Sequence, residues 1–296
     1  MNEQVKGHIA ALGTMCVWGT TFIATKVLLE SFTPVEILII RFVIAFVILT
    51  ILSPRILKVK EKHHQWYFVG AGLTGICLYY LIENIALTFT LASNVGVVLA
   101  VAPFFSALAA YIFMRESEKI TWGFFLGFAV AITGIALISF NGTRLHLSPK
   151  GDILAVLAAI VWAIYTLMTR KITEAGYGTV PATKKIFFYG ILFTIPSMFI
   201  FDFSPDLSLI FVGKNLFNML FLGIGASAIC FITWNYGVKC LGIVKTSVYI
   251  YVGPVITVAA AALILHEPLT PMLITGTILT LAGVIISEKV KIKEIK

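Results

Sequence analysis

The chain has 296 residues, of which 59% are hydrophobic and 12% charged, and its formal net charge is +8. An ordinary soluble domain carries about a quarter charged residues, so this composition excludes a single water-exposed globule and leaves lipid as the solvent for most of the chain. The positive charge would suit nucleic acid on a soluble protein, but its distribution follows membrane topology and leaves no nucleic-acid footprint.

Apolar blocks of roughly 20 residues, the length a helix needs to cross a hydrocarbon core, follow one another along the chain. They predict spans at 8–30, 34–53, 66–88, 92–114, 121–140, 151–171, 183–202, 215–238, 245–265 and 271–288. Runs this long and continuous exceed what a lipid-facing strand requires and lack its alternation. The predicted fold class is therefore an all-α integral membrane protein of ten transmembrane helices. The first block runs through Trp18 and Lys26 without a small-x-small cleavage pattern, so it reads as a span and not as a removable leader.

Ten spans put both ends of the chain on one side. Seventeen Lys and Arg residues fall on that side, against three, Arg144, Lys150 and Lys214, on the other. This bias predicts that both termini are cytoplasmic. Cys16, Cys77, Cys230 and Cys240 lie in or at the end of apolar blocks with no CxxC pair, which reads as small buried hydrophobes.

The chain repeats itself. Gly7 to Glu30 aligns without a gap on Gly151 to Glu174, sharing Gly7/Gly151, Trp18/Trp162, Thr25/Thr169, Lys26/Arg170 and Glu30/Glu174. Asn84, Pro103 and Glu116 align at one offset on Asn235, Pro254 and Glu267, and Gly127 and Gly134 then match Gly276 and Gly283. The expected organisation is a first repeat over 1–140, a linker over 141–150, a second repeat over 151–288 and a basic tail over 289–296. Five spans per repeat is an odd number, so the second repeat enters the membrane from the opposite side. Such inverted repeats characterise secondary transporters, whose site lies near the midplane between the halves. Asn141-Gly142-Thr143 matches a glycosylation sequon, a pattern short enough to arise by chance.

Thr14, Trp18, Thr21 and Thr25 share one face of span 1, and Ala158, Trp162, Tyr165 and Thr169 the same face of span 6. Membrane threonines often bond only to their own backbone, yet the recurring tryptophan favours an inward wall. Span 3 carries Tyr79, Tyr80, Glu83 and Asn84, with both tyrosines within a turn of the glutamate. An ionised carboxylate at the bilayer centre costs roughly 2.5–3.5 kcal/mol or more, which makes such residues rare and inward-facing. Glu83 lies about six residues, roughly 9 Å, inside the outer end of its span, and Arg41 lies at similar depth in span 2.

Three readings of Glu83 stand together. It is a structural partner of Arg41 or Lys26, a ligand for a cationic or zwitterionic substrate, or a proton carrier. Its repeat mate is Trp234, whereas Asn84 recurs as Asn235. The remaining candidates for the wall are Tyr249 and Tyr251. Pro103 and Pro254, matched in mid-span, read as hinges or cavity-lining kinks. Gly123 and Gly127 in span 5, and Gly276 and Gly283 in span 10, form small faces for close helix packing, with a dimer contact as the alternative. His63 and His64 read as solvated, with no acid or cysteine at ligand spacing. The chain holds no HExxH, GxSxG or P-loop, so it reads as neither an enzyme nor a metal or cofactor binder.

WGTTFIATK in span 1, ENIALTFTLASN joining spans 3 and 4, the proline of VAPFF and the glutamate of MRE resemble the EamA-type branch of the drug/metabolite transporter superfamily. WAIYTLMTR, VGP and HEP echo the pattern in the second half, and the resemblance covers nearly the whole chain. One departure is Arg115, which stands where a glycine commonly precedes the glutamate. The resemblance implies a ten-helix, inverted-repeat carrier of the plasma or inner membrane with both termini cytoplasmic, and the small glycine faces leave a monomer or a homodimer as the expected state. Its cavity would be lined mainly by spans 1, 3, 4, 6, 8 and 9. It further implies export of amino acids or related small metabolites by alternating access, with uptake or exchange as the alternative.

Overall fold

In a computed structural model, residues 2–114, 122–139, 149–201, 203–241, 246 and 248–294 are described. Arg115, Glu116, Lys245, the sequon and most of the linker expected at 141–150 lie outside them. The helices are α1 (Glu3–Leu28), α2 (Pro34–Leu52), α3 (His64–Ala71), α4 (Tyr79–Phe89), α5 (Ala92–Leu99), α6 (Ala102–Met114) and α7 (Trp122–Ser139). They continue with α8 (Pro149–Glu174), α9 (Thr179–Ile200), α10 (Gly213–Leu220), α11 (Cys230–Leu241), α12 (Val252–Ile264) and α13 (Pro271–Glu294). No strand occurs among the described residues.

Local signals set several of these boundaries. Asn2 caps α1 by accepting from the Gln4 amide. Thr33 and Glu36 form a reciprocal capping box at α2, with Pro34 in the first turn, where its missing amide hydrogen costs nothing. At the far ends of α8 and α2, Lys60 donates to the carbonyls of Ala175 and Gly176, and Lys184 to those of Ser53 and Arg55. These cations meet the negative ends of helix dipoles.

Seven helical stretches are long and apolar enough to cross a membrane: Glu3–Leu28, Pro34–Leu52, His64–Phe89, Ala92–Phe113, Pro149–Glu174, Thr179–Ile200 and Gly213–Gly237. Three shorter apolar helices are Phe125–Ile138, Tyr249–Ile264 and Pro271–Ile286. Large apolar side chains such as Val43, Val47, Phe199, Leu263 and Ile278 point outward along them, as lipid-facing surfaces require.

Two features interrupt the regular helices. The stretches Gly72–Leu78, between α3 and α4, and Phe221–Ile229, between α10 and α11, are π-helical. They fall at equivalent places in the two halves under the offset that matches Asn84 with Asn235. A π turn widens the helix and releases carbonyls from the α ladder, which explains its frequent use at functional sites. The second interruption precedes the matched prolines. Helix α5 ends at Leu99 and α6 begins at Ala102, and α12 begins at Val252 after a short 3₁₀ turn over Val248–Tyr251. The kink expected at Pro103 and Pro254 is therefore a break just upstream of each. Both prolines sit in the first turn of a new helix, where the ring displaces no hydrogen bond.

The helices pack in exchanged pairs. Helix α1 lies against α11 and α12, as α8 lies against α4, α5 and α6. Helix α2 packs on the second π segment and α9 on the first, while α7 runs along α13. The last pair joins through the small residues. A Cβ on Gly276 would meet Ile138 Cγ1 at 2.5 Å and Gly134 O at 2.7 Å, so the small faces serve this internal contact.

Candidate functional site

Arg41 emerges from the middle of α2 and Glu83 from α4, and their side chains are 0% and 1% exposed. The guanidinium donates from Nε and Nη2 to Ser227 Oγ at 3.2 and 3.1 Å. Ser227 belongs to the second π segment, so the first half's arginine is anchored in the second half. The guanidinium carbon also lies 4.6 Å from the Tyr80 ring centroid and 5.2 Å from that of Phe42. Cation–π contacts of this kind are worth most where water is excluded.

Arg41 and Glu83 do not form the ion pair their depths suggested. They are electrostatic neighbours, and the Glu83 carboxylate interacts with the Tyr79 hydroxyl. Arg41 Nη1 and Glu83 Oε1 are nevertheless both buried without a hydrogen-bond partner. Unpartnered buried polar atoms are scarce in folded proteins because each forfeits its hydration uncompensated. Here a free donor and a free acceptor occur together.

Aromatic side chains enclose this pair. Trp18 lies 5.4 Å from Trp234 and 5.6 Å from Phe231, centroid to centroid. Phe231 continues to Phe187 at 5.5 Å, Phe187 to Phe42 at 5.4 Å, and Phe42 to Tyr80 at 5.0 Å. Tyr80 meets Tyr79, Tyr79 meets Trp162 and Trp162 meets Tyr165, each at 4.7 Å. The belt thus runs through α11, α1, α9, α2, α4 and α8. The Trp18 indole donates to Ala226 O at 3.0 Å, a carbonyl within the π segment. Tyr165 occupies the space in which a Cβ on Gly75 would lie, so this glycine admits the ring against the first π segment.

Six of the expected wall residues, Trp18, Tyr79, Tyr80, Trp162, Tyr165 and Trp234, stand in this belt. Phe42, Phe187, Phe231 and Ser227 complete the site without having been singled out from sequence. Phe231 carried one signal, since it is the repeat mate of Tyr80. Thr21 donates to the Trp18 carbonyl at 2.7 Å, the backbone-bonded state common for membrane threonines.

The two asparagines act differently. Asn84 donates to Pro34 O at 3.0 Å and ties α4 to the start of α2, whereas Asn235 donates to Phe231 O one turn back. Tyr249 hydrogen-bonds His8 Nδ1 at 2.7 Å, near the start of α1, and Tyr251 packs against the core around Ile23 and Val98. Lys26 donates to the carbonyls of Leu87 and Thr90, at the end of α4 beyond Glu83.

His63 and His64 were read without an acid at ligand spacing, but a turn brings Glu61 Oε2 to 3.3 Å from His63 Nδ1. Ligand atoms of these three residues lie within 4.8 Å of one another. His64 Nδ1 is already engaged by the Tyr177 hydroxyl at 2.9 Å.

A family model described as the EamA-like transporter family matches residues 5–140 and again 149–288. An uncharacterized transporter of Archaeoglobus fulgidus is 28% identical over 94% of this chain and 96% of its own length. A protein of Streptantibioticus cattleyicolor, named a probable terminal-alkyne amino-acid exporter, is 25% identical over 93% of this chain and 91% of its own. A solved crystal structure superposes with a TM-score of 0.67 at 18% identity, covering 96% of this chain and 98% of that one.

Proposed function

The chain belongs to the EamA-like transporter family and is a multi-pass membrane transporter of small molecules, and from that premise we propose that it exports a small zwitterionic or amphipathic metabolite, with amino acids as the leading class. The observation that carries this reading is the coexistence of Arg41 Nη1 and Glu83 Oε1, both buried and both unpartnered, inside an aromatic belt. A carboxylate can take the free donor and an ammonium the free acceptor, while the rings receive apolar atoms.

Transport proceeds by alternating access between two inverted halves of five spans each, with the seven long and three shorter apolar helices all crossing the bilayer. The exchanged packing of α1 with α11 and α8 with α4, and the matched π segments, support that inversion. The excess of Lys and Arg on one side supports cytoplasmic termini in the cell membrane. The name of the Streptantibioticus relative supports the direction and the class. Glu83 exchanges its proton for substrate during the cycle, and Arg41 holds the opposite charge in the low-dielectric interior. The breaks before Pro103 and Pro254 supply the hinges.

Metabolite profiling of medium and cytosol, with and without overexpression, tests the reading. The expected result is accumulation in the medium of a small set of zwitterions and their loss from the cytosol. Enrichment in the cytosol instead would establish uptake and refute export.

A further inference from the structure

The connector between α4 and α5 is only Thr90 and Leu91, yet three other segments hold it. Lys26, in the last turn of α1, donates to Leu87 O at 2.5 Å and Thr90 O at 2.8 Å. Asp152, in the first turn of α8, accepts from the Thr90 hydroxyl at 3.0 Å. Glu267, in the turn between α12 and α13, accepts from the Ala92 amide at 2.8 Å, the Ser93 amide at 3.1 Å and the Ser93 hydroxyl at 2.6 Å. Thr90, Ser93, Asp152 and Glu267 are all buried.

The charges are placed with the helix dipoles. Lys26 faces the C-terminal end of α4, Glu267 the N-terminal end of α5, and the two are electrostatic neighbours. His266, which presents Glu267, has φ of 54°, a left-handed conformation that a non-glycine residue holds only when its surroundings enforce it. Two of the repeat mates are described at the opposite end of the molecule, while Glu116, in the place of Glu267, lies outside the described residues. Arg170, in the place of Lys26, donates to Glu174 one turn along its own helix at 3.0 Å, and His8, in the place of Asp152, meets Tyr249.

We infer that Lys26, Asp152 and Glu267 form a latch that closes the face of the carrier opposite its N terminus, and that releasing it is the step that opens the site to that side. The Asp152 and Glu267 bonds join the second half to the connector of the first, so separation of the halves at this face must break them, while Lys26 holds the connector that they grip. None of its three residues touches Arg41 or Glu83, and they act by positioning the helices that carry the site. The inference rests on the alternating-access reading, but its test needs no knowledge of the substrate.

Leu87, whose side chain is fully buried and whose backbone carbonyl takes the Lys26 bond, is the reporter position. Leu87→Cys, in a variant with the four native cysteines replaced, is reacted with a bulky maleimide in lipid nanodiscs. Glu267→Gln and Lys26→Met are each expected to raise the modification rate about ten-fold or more, as charge-assisted hydrogen bonds to the connector cease to hold the closed state. Lys26→Met reads the latch independently should Glu267→Gln fold poorly. Leu49→Cys, equally buried near the far end of α2, reports general loosening. Unchanged Leu87→Cys rates in both variants, or an equal rise at Leu49→Cys, would overturn the latch. Export of zwitterions is judged separately by profiling, so each idea can fail without the other.

Discussion

Replacing Arg41 by Met keeps the apolar stem and deletes the guanidinium. The structure assigns that group two hydrogen bonds to Ser227 and stacking over Tyr80 and Phe42. Hydrogen bonds to a charged group contribute about 1.5–3 kcal/mol net, and a desolvated cation–π contact about 2 kcal/mol. Arg41→Met therefore costs about 3–5 kcal/mol, the range seen when a buried charge loses its complement. At about 2–4 °C per kcal/mol, thermal unfolding in detergent should fall by at least about 6 °C. Part of that loss is the Glu83 charge left without a nearby cation. Combining Arg41→Met with Glu83→Gln should then cost about 1–2 kcal/mol less than the two single changes added together. Strict additivity would refute the claim that the two residues form one electrostatic unit without touching.

Ser227→Ala removes both anchors of Arg41 with little change of volume, and should lower export several-fold while shifting the melting temperature by only a few degrees. Trp18→Phe keeps a ring against Trp234 but frees Ala226 O, and should cost about 1 kcal/mol in a thermal melt. A Cβ on Gly283 would press on the Ala131 amide and meet Gly127 O at 2.5 Å, where backbone cannot yield locally. Gly283→Ala should therefore destabilise by about 1–3 kcal/mol through separation of α7 and α13, and wild-type stability in that variant would contradict the packing.

Hydropathy, charge bias and internal repetition made the helical class and the positions of the apolar helices legible, because membrane insertion acts on 20-residue averages. The repeat alignment also led to Trp18 and Trp162, whose equivalent places are visible in one dimension. Ser227 was not legible. Its significance comes from a π turn that aims it at Arg41 across the halves, and its repeat mate is Ile76. Phe42 and Phe187 looked like any lipid-facing phenylalanine, since a continuous apolar span has no polar face to mark its inner side. The matched prolines read as hinges or cavity-lining kinks, but sequence cannot show that a helix restarts just before each of them. Lys26 illustrates the same limit, since its partners are the carbonyls of Leu87 and Thr90, and carbonyls leave no trace in a side-chain pattern.

Flux through the purified protein in liposomes, with wild type and Glu83→Gln compared across imposed pH gradients, tests the central claim most directly. The substrate would be the amino acid that profiling identifies. The account predicts wild-type transport that follows the proton gradient, and a Glu83→Gln carrier that has lost most of its flux and all response to the gradient. Equal flux with equal pH dependence in the two proteins would contradict it.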